Sequence, residues 1–204
     1  EEVQAGCRKN QTMRTEIQAF QLDNDQGYDL SRWSGTAQIT EDFPLTHGIA
    51  SYDANIIGSY YSLHSKPTAA TTKIGDLTSV NPSVSLGYRL PLATSIVDRV
   101  VILEPQAKLV HVAGEDNTKE IPNRDAADYR IDEANLFLLN RYQGKDYILP
   151  GSRMDVGLSA ITQDAVLGEI SGFAGVSRRL SSKRATGLSI NSSDIYSDYV
   201  ASAS

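Results

Sequence analysis

Apolar and polar residues alternate along most of the chain, and the alternation breaks at Gly, Pro, Asn, Asp and Ser. Successive side chains of a β-strand point to opposite faces, so a period of two predicts strands with one apolar and one polar face. The alternation is strongest in 32–40, 51–60, 83–92, 103–109, 153–160 and 166–178, and weaker near 15–22, 184–190 and 194–202. We therefore predict an all-β antiparallel meander of about eight to ten strands.

The patterned segments are long, and their apolar faces carry many small residues. A tilted strand needs roughly nine to eleven residues to cross a bilayer, whereas strands in globular proteins average nearer five or six. Several apolar-face residues are too small to fill the space between two packed sheets, namely Gly35, Ala37, Ala54, Gly58, Ala107, Ala160 and Ala174. Both features favour a wall that faces lipid, and therefore a part of a transmembrane β-barrel.

The predicted connections between strands are of two kinds. Residues 42–44 and 162–164 have the composition of short turns, whereas 113–152 is long and rich in Asp, Asn, Arg and Tyr. Outer-membrane barrels alternate short periplasmic turns with longer extracellular loops. We predict that 113–152 is one long extracellular loop, and that 63–80 leaves the sheet on the same side. That arrangement assumes a short turn near 93–95 between strands at 82–92 and 96–112.

Charge and hydropathy exclude several classes of protein. The chain has 19 Lys and Arg against 25 Asp and Glu, a net charge of −6 and a pI near 5.0, which argues against nucleic-acid binding. No uncharged apolar run is long enough for a transmembrane helix. The first residues have neither a basic nor an apolar region, so either a signal peptide has been removed or the chain starts inside a longer protein. We treat 1–204 as one partial barrel domain, with 1–30 left unassigned.

Candidate chemistry is sparse. Cys7 is the single cysteine, which excludes an internal disulfide and a cysteine zinc cage. The three histidines lie far apart in sequence, and neither a Gly-x-Ser-x-Gly nor a phosphate-binding loop is present. The acidic residues of 113–152 lack the spacing of a calcium loop. We therefore predict no catalytic residue, no metal and no cofactor.

Four charged residues stand on the polar faces of two predicted strands: Glu104, Lys108, Arg153 and Asp155. In a barrel they would face a hydrated lumen, whereas in a soluble sandwich they would simply be exposed to solvent. The pattern alone leaves both interpretations open.

Several ordered motifs extend this picture. Leu103-Glu104-Pro105 lies in a strand, and the loop that follows contains Pro122-Asn123-Arg124-Asp125, Asn135-Leu136-Phe137 and Asn140-Arg141-Tyr142-Gln143-Gly144-Lys145-Asp146. Their order and spacing resemble the barrel domain of the lipopolysaccharide-assembly (LptD, or organic-solvent-tolerance, OstA) family. Barrels of that family are much longer and end on an aromatic residue, so the resemblance implies an internal fragment. Cys7 does not map onto the family's disulfide pattern.

The resemblance implies transport and not catalysis. In that family the barrel lies in the outer membrane of Gram-negative bacteria and receives lipopolysaccharide (LPS) from periplasmic bridge proteins. An LptE-like lipoprotein plugs the barrel, and the cargo leaves sideways into the outer leaflet. The matching loop residues would order the loop: Pro122, Asn123, Asp125, Asn135, Phe137, Asn140, Arg141, Gly144 and Asp146. We expect Arg141 to form an internal ion pair with Asp125 or Asp146.

Two alternatives remain open from the sequence. One is a different outer-membrane barrel, such as a porin or receptor. The other is a soluble secreted β-sandwich that binds a ligand through its long loop.

Overall fold

The fold is all-β. The computed structural model describes residues 2–8, 10–23, 28–65, 75–96, 99–114, 131–141, 144–148, 150–164, 168–180 and 196–203. The strands are β1 (Glu2–Arg8), β2 (Gln11–Leu22), β3 (Tyr28–Pro44), β4 (Ile49–Ser65), β5 (Gly75–Arg89), β6 (Leu92–Ile96), β7 (Arg99–Val112), β8 (Gly151–Asp164), β9 (Gly168–Arg179) and β10 (Tyr196–Ala203). Within the described ranges, no helix is long and apolar enough to cross a membrane.

The ten strands form one antiparallel sheet in chain order. β6 continues β5 along β7, because the pairing of Arg89 with Gln106 and of Leu92 with Leu103 belongs to a single register. The interruption falls at Pro91, which has no N–H to donate to the ladder. Among the described residues, β1 and β10 each pair on one side only, so the sheet is open. The predicted antiparallel meander is confirmed.

The predicted short turns were all placed too early in the chain. β3 continues to Pro44, β6 occupies 92–96, and β8 continues to Asp164. The chain reverses instead within 45–48, between Ile96 and Arg99, and between Asp164 and Gly168. The strand ends remain paired because ladder hydrogen bonds form between backbone groups and do not require apolar side chains.

Short and long connections lie at opposite ends of the sheet. The connections after β1, β3, β6 and β8 have at most four residues, whereas at the other end the connection after β2 has five and those after β4, β7 and β9 are longer. The loops that follow β4 and β7 therefore leave the same end, as predicted. We call this the long-loop end, and the other the short-turn end.

The two faces of the sheet have the reverse polarity of a soluble protein. Trp33 is 61% exposed and Leu86 is 65% exposed on the outer face, whereas Arg32 and Asp155 are 1% and 0% exposed on the inner face. Soluble proteins bury large apolar residues and leave charged ones in water. Lipid-facing barrels alternate apolar-out with polar-in. The predicted division into an apolar and a polar face is therefore confirmed, and the fold is consistent with part of a barrel wall.

Candidate functional site

Small polar side chains line much of the inner face of β3, β4 and β5. The period of two places these serines and an asparagine on one side, where they are buried: Ser34, Ser59, Ser79, Asn81, Ser83 and Ser85. Ser34 and Ser59 are register partners, and their hydroxyl oxygens lie 3.0 Å apart. A surface of small side chains leaves room above the sheet for another part of the chain.

A segment of the long loop between β7 and β8 lies on the inner face, where it contacts strands on both sides of the sheet. Its described residues are 131–141 and 144–148, and we call them the docked segment. Ile131 and Leu136 are buried in a cluster with Phe173 and Val200 of β9 and β10. Leu139 is buried against Val110 and Val112 of β7 in a second cluster, which Ile148 also joins. The segment therefore contributes to both apolar clusters at this part of the inner face.

Two paired glycines form the socket for this segment. Gly157 and Gly175 are register partners on the inner faces of β8 and β9. A Cβ atom at Gly175 would lie 2.5 Å from the Leu136 side chain, and one at Gly157 would lie 3.0 Å from Phe137. Phe137 also packs edge-on against Phe173, with ring centroids 6.3 Å apart. A side chain at either position would crowd both Phe173 and the segment, so a larger residue there would force one of them to move.

The start of the docked segment is ordered by its own side chains. The Asp132 amide donates to Asn135 Oδ1 at 3.0 Å, and the Asn135 amide donates to Asp132 Oδ1 at 2.9 Å. The Leu136 amide donates to the Asp132 carbonyl at 3.0 Å. Reciprocal bonds of this kind satisfy backbone donors that a short turn leaves unpaired. They fix the conformation of the turn at the start of the segment.

A buried ion pair joins the segment to β8. Arg141 Nη2 pairs with the Asp155 carboxylate and also donates to the Leu136 carbonyl at 2.8 Å and to Ser177 Oγ at 2.9 Å. The Ser177 hydroxyl donates to the same carboxylate at 2.6 Å. Arg141 and Asp155 are almost completely shielded from solvent. The guanidinium thus holds both the turn of the segment and the wall behind it.

A second arginine completes this cluster from the sheet side. Arg153 Nε donates to Asp155 Oδ2 at 3.1 Å. Its Nη2 donates to the carbonyls of Leu138 and Leu139, the latter at 3.1 Å. One carboxylate therefore orients two guanidinium groups, and each of them also donates to a backbone carbonyl of the segment.

The other end of the segment is fixed to β3 and β4. Arg32 Nη1 donates to Asp146 Oδ1 at 2.6 Å, and both side chains are buried. The Tyr61 hydroxyl donates to the same oxygen at 3.2 Å. Arg32 also donates to Gln18 at 3.2 Å and lies 5.3 Å from the centre of the Phe20 ring. The expected ion pair between Arg141 and Asp146 is therefore wrong, because each side chain pairs with a different strand.

Two further contacts attach the segment to strands near the two edges of the sheet. Lys145 Nζ lies 2.8 Å from Glu16 of β2. The Ser202 hydroxyl of β10 lies 2.5 Å from Glu133. Together they attach opposite ends of the segment to strands at opposite sides of the sheet.

Two other predicted residues, Asn140 and Gly144, lie close to each other within the docked segment. Asn140 Nδ2 lies 3.5 Å from the Gly144 carbonyl, and Gly144 has a φ of 90°, a conformation that favours glycine. Pro122, Asn123 and Asp125 lie outside the described residues, so the structure does not describe a pair between Arg141 and Asp125.

The four predicted lumen charges lie on the inner face in two environments. Lys108 forms a 2.7 Å ion pair with Asp53, which also accepts hydrogen bonds from Thr40 and Ser85. Glu104 is half-buried near the short-turn end. Arg153 and Asp155 are instead buried under the docked segment.

Sequence reasoning missed the wall residues that receive the segment, among them Arg32, Tyr61 and Ser177. The alternation places these polar residues on the inner face, but nothing in their spacing identifies the loop residues that they contact. In the described ranges, no group of three or more His, Cys, Asp and Glu side chains could hold a metal ion. The arrangement therefore positions a loop inside a polar wall, and each of its buried carboxylates is matched by a cation.

Comparison with known protein families gives a match over nearly the whole chain. The model of the family described as "LptD: LPS transport system D" matches residues 8–204, nearly the whole chain. No curated protein sequence matches the chain.

Proposed function

Because the chain belongs to the LptD family, we propose that it forms part of the wall of an outer-membrane barrel that inserts LPS into the outer leaflet. The family acts in LPS transport and assembly and not in catalysis, so LPS is the cargo. We also propose that this chain lies in the outer membrane of a Gram-negative bacterium, and that the barrel delivers LPS to the outer leaflet there.

The observation that carries the proposal is the apolar band on the outer face. Trp33 and Tyr60 are neighbours towards the long-loop end of β3 and β4, and Phe43 stacks on Tyr52 towards the short-turn end, with ring centroids 5.8 Å apart. At about 3.3 Å per residue, the ten-residue step from Trp33 to Phe43 covers roughly 33 Å of strand. A strand tilt of about 40° reduces this to roughly 25 Å of membrane depth, which is the height of the apolar band in outer-membrane barrels.

The orientation and the edges of the sheet follow from the same reasoning. We propose that the short-turn end faces the periplasm and that 113–152 is the extracellular loop, since outer-membrane barrels place their long loops outside. Unpaired backbone groups are costly in lipid, so β1 and β10 would pair with further strands of one closed barrel.

The partners in the proposal are those of the family pathway: an LptE-like lipoprotein as plug and periplasmic bridge proteins that deliver LPS. We also propose that the family-motif residues order the loop within the barrel. The docked segment supports this for Asn135, Phe137, Arg141 and Asp146, because each makes a specific contact with the segment or the wall.

The test uses cells depleted of their own LPS-assembly barrel. Expression of this protein should restore LPS at the cell surface, and an LptE-like lipoprotein should co-purify with it. A channel that conducts small solutes but leaves surface LPS unrestored would favour the porin alternative. Recovery of a monomer without detergent would favour the soluble sandwich.

Orientation and lipid contact have separate tests. In a Cys7→Ser background, a cysteine at Asp76 should react with a membrane-impermeant maleimide in intact cells, and one at His47 only after permeabilisation. Ile56→Arg on the outer face, midway between Tyr52 and Tyr60, should cost about 2–4 kcal/mol of barrel stability near the bilayer centre, whereas Gln106→Arg on the inner face should cost little. Equal effects of the two arginines would contradict a lipid-facing outer surface.

A further inference from the structure

We propose that the docked segment is a fixed brace, which stays seated on the inner face while cargo passes beside it and does not swing out as a lid. The inference rests on the proposed transport function. The way in which the segment is attached to the wall supports it.

The segment is held at both ends, on strands far apart in the sheet. Glu133 lies 2.5 Å from Ser202 of β10, and Lys145 lies 2.8 Å from Glu16 of β2. In the order of the sheet, β2 and β10 are separated by β3, β4, β5, β7, β8 and β9. A lid needs one end that can leave its seat while the other acts as a hinge. Contacts at both ends instead suit a cross-connection between the two sides of the wall.

Both buried ion pairs are divided between the segment and the wall. In one pair the segment contributes the carboxylate of Asp146 to Arg32, and in the other it contributes the guanidinium of Arg141 to Asp155. All four side chains are at most 1% exposed. If the segment lifted, Arg32 would lose Asp146 and Asp155 would lose Arg141. Removing one partner of a buried ion pair is strongly unfavourable. These pairs therefore oppose repeated opening.

The apolar contacts act in the same direction. Leu136, Ile131 and Leu139 are buried between the segment and the strands. An opened segment would expose these side chains, and the apolar residues beneath them, to the hydrated interior of the barrel. The glycine socket at Gly157 and Gly175 is shaped for the seated position.

Cross-linking both ends distinguishes a brace from a lid. In a Cys7→Ser background, Glu133→Cys with Ser202→Cys, and separately Lys145→Cys with Glu16→Cys, are joined by a short bismaleimide in the assembled barrel. The control is Gln163→Cys with Glu169→Cys, an exposed register pair that links β8 to β9 without the segment.

The readout is newly exported LPS at the surface of cells that depend on the protein, with the extent of cross-linking determined by mass spectrometry. We expect each locked variant to export LPS within about twofold of its unlinked form and of the control. If export required the segment to open, the locks would reduce it by about tenfold or more while the control stayed active, and the brace would be refuted. Paired cysteines that each react with a monofunctional maleimide but do not cross-link would also refute it, because the segment would not be seated. Failure of the unlinked protein to export LPS would instead refute the proposed function.

Discussion

Replacement of Arg141 by leucine should destabilise the barrel by about 3 kcal/mol. The substitution removes three hydrogen bonds from one guanidinium nitrogen, to the Leu136 carbonyl, Asp155 and Ser177. Removal of one partner from a buried ion pair costs about 3–5 kcal/mol, and a buried carbonyl left without a donor costs about 1–3 kcal/mol. Arg153 still lies 3.1 Å from Asp155 in the variant and continues to neutralise that carboxylate. We therefore expect a total loss of stability near the lower end of the range for a broken buried ion pair.

The assay is urea unfolding of the folded barrel in detergent micelles, followed by far-UV circular dichroism. The matched control is Arg89→Leu, which removes an arginine that lies 3.6 Å from Asp42 and 3.9 Å from Glu104, and both Arg89 and Asp42 are nearly half exposed. Exposed pairs contribute about 0–1 kcal/mol, so this variant should stay close to the unmodified protein. Equal stabilities for the two variants, within about 0.5 kcal/mol, would refute the view that Arg141 is a buried structural charge.

Two further predictions test the socket and the second ion pair. Gly175→Val should cost about 1–3 kcal/mol because its side chain would occupy the space of the segment. Gly35→Ala has open space on the outer face and should be neutral or slightly stabilising. Unfolding midpoints in urea compare the two variants. Arg32→Asp and Asp146→Arg should each lower the yield of folded, heat-modifiable barrel on gels. The double variant should recover part of that yield, and a strictly additive loss would argue against direct pairing of these residues.

The docked segment also explains how a sheet whose apolar face is exposed can still bury apolar side chains. The outer face of the sheet has no apolar layer of the same chain against it in the described ranges, so its apolar side chains contribute no core. Two of the apolar clusters form instead on the inner face, between strands and the segment. We infer that the loop supplies the filling that a second sheet supplies in a β-sandwich.

The alternation of residues alone determined that the patterned segments form strands and which face each of their side chains occupies. This holds because the period of two is a property of the extended backbone, independent of what lies nearby. Trp33, Leu86 and Met154 therefore had to share a side with their apolar neighbours. The motifs of the long loop also identified, by resemblance, the family that the comparison then gave.

The tertiary structure alone decided which residues meet. Arg141 had Asp125, Asp146 and Asp155 available to it, and spacing cannot rank them, because the path of a long loop depends on contacts with strands remote in sequence. The choice of Asp155 for Arg141, and of Arg32 for Asp146, arises where the loop crosses the sheet. Turn positions were missed for a related reason: backbone pairing extends the strands beyond the last apolar residue, and only the partner strand determines where it stops.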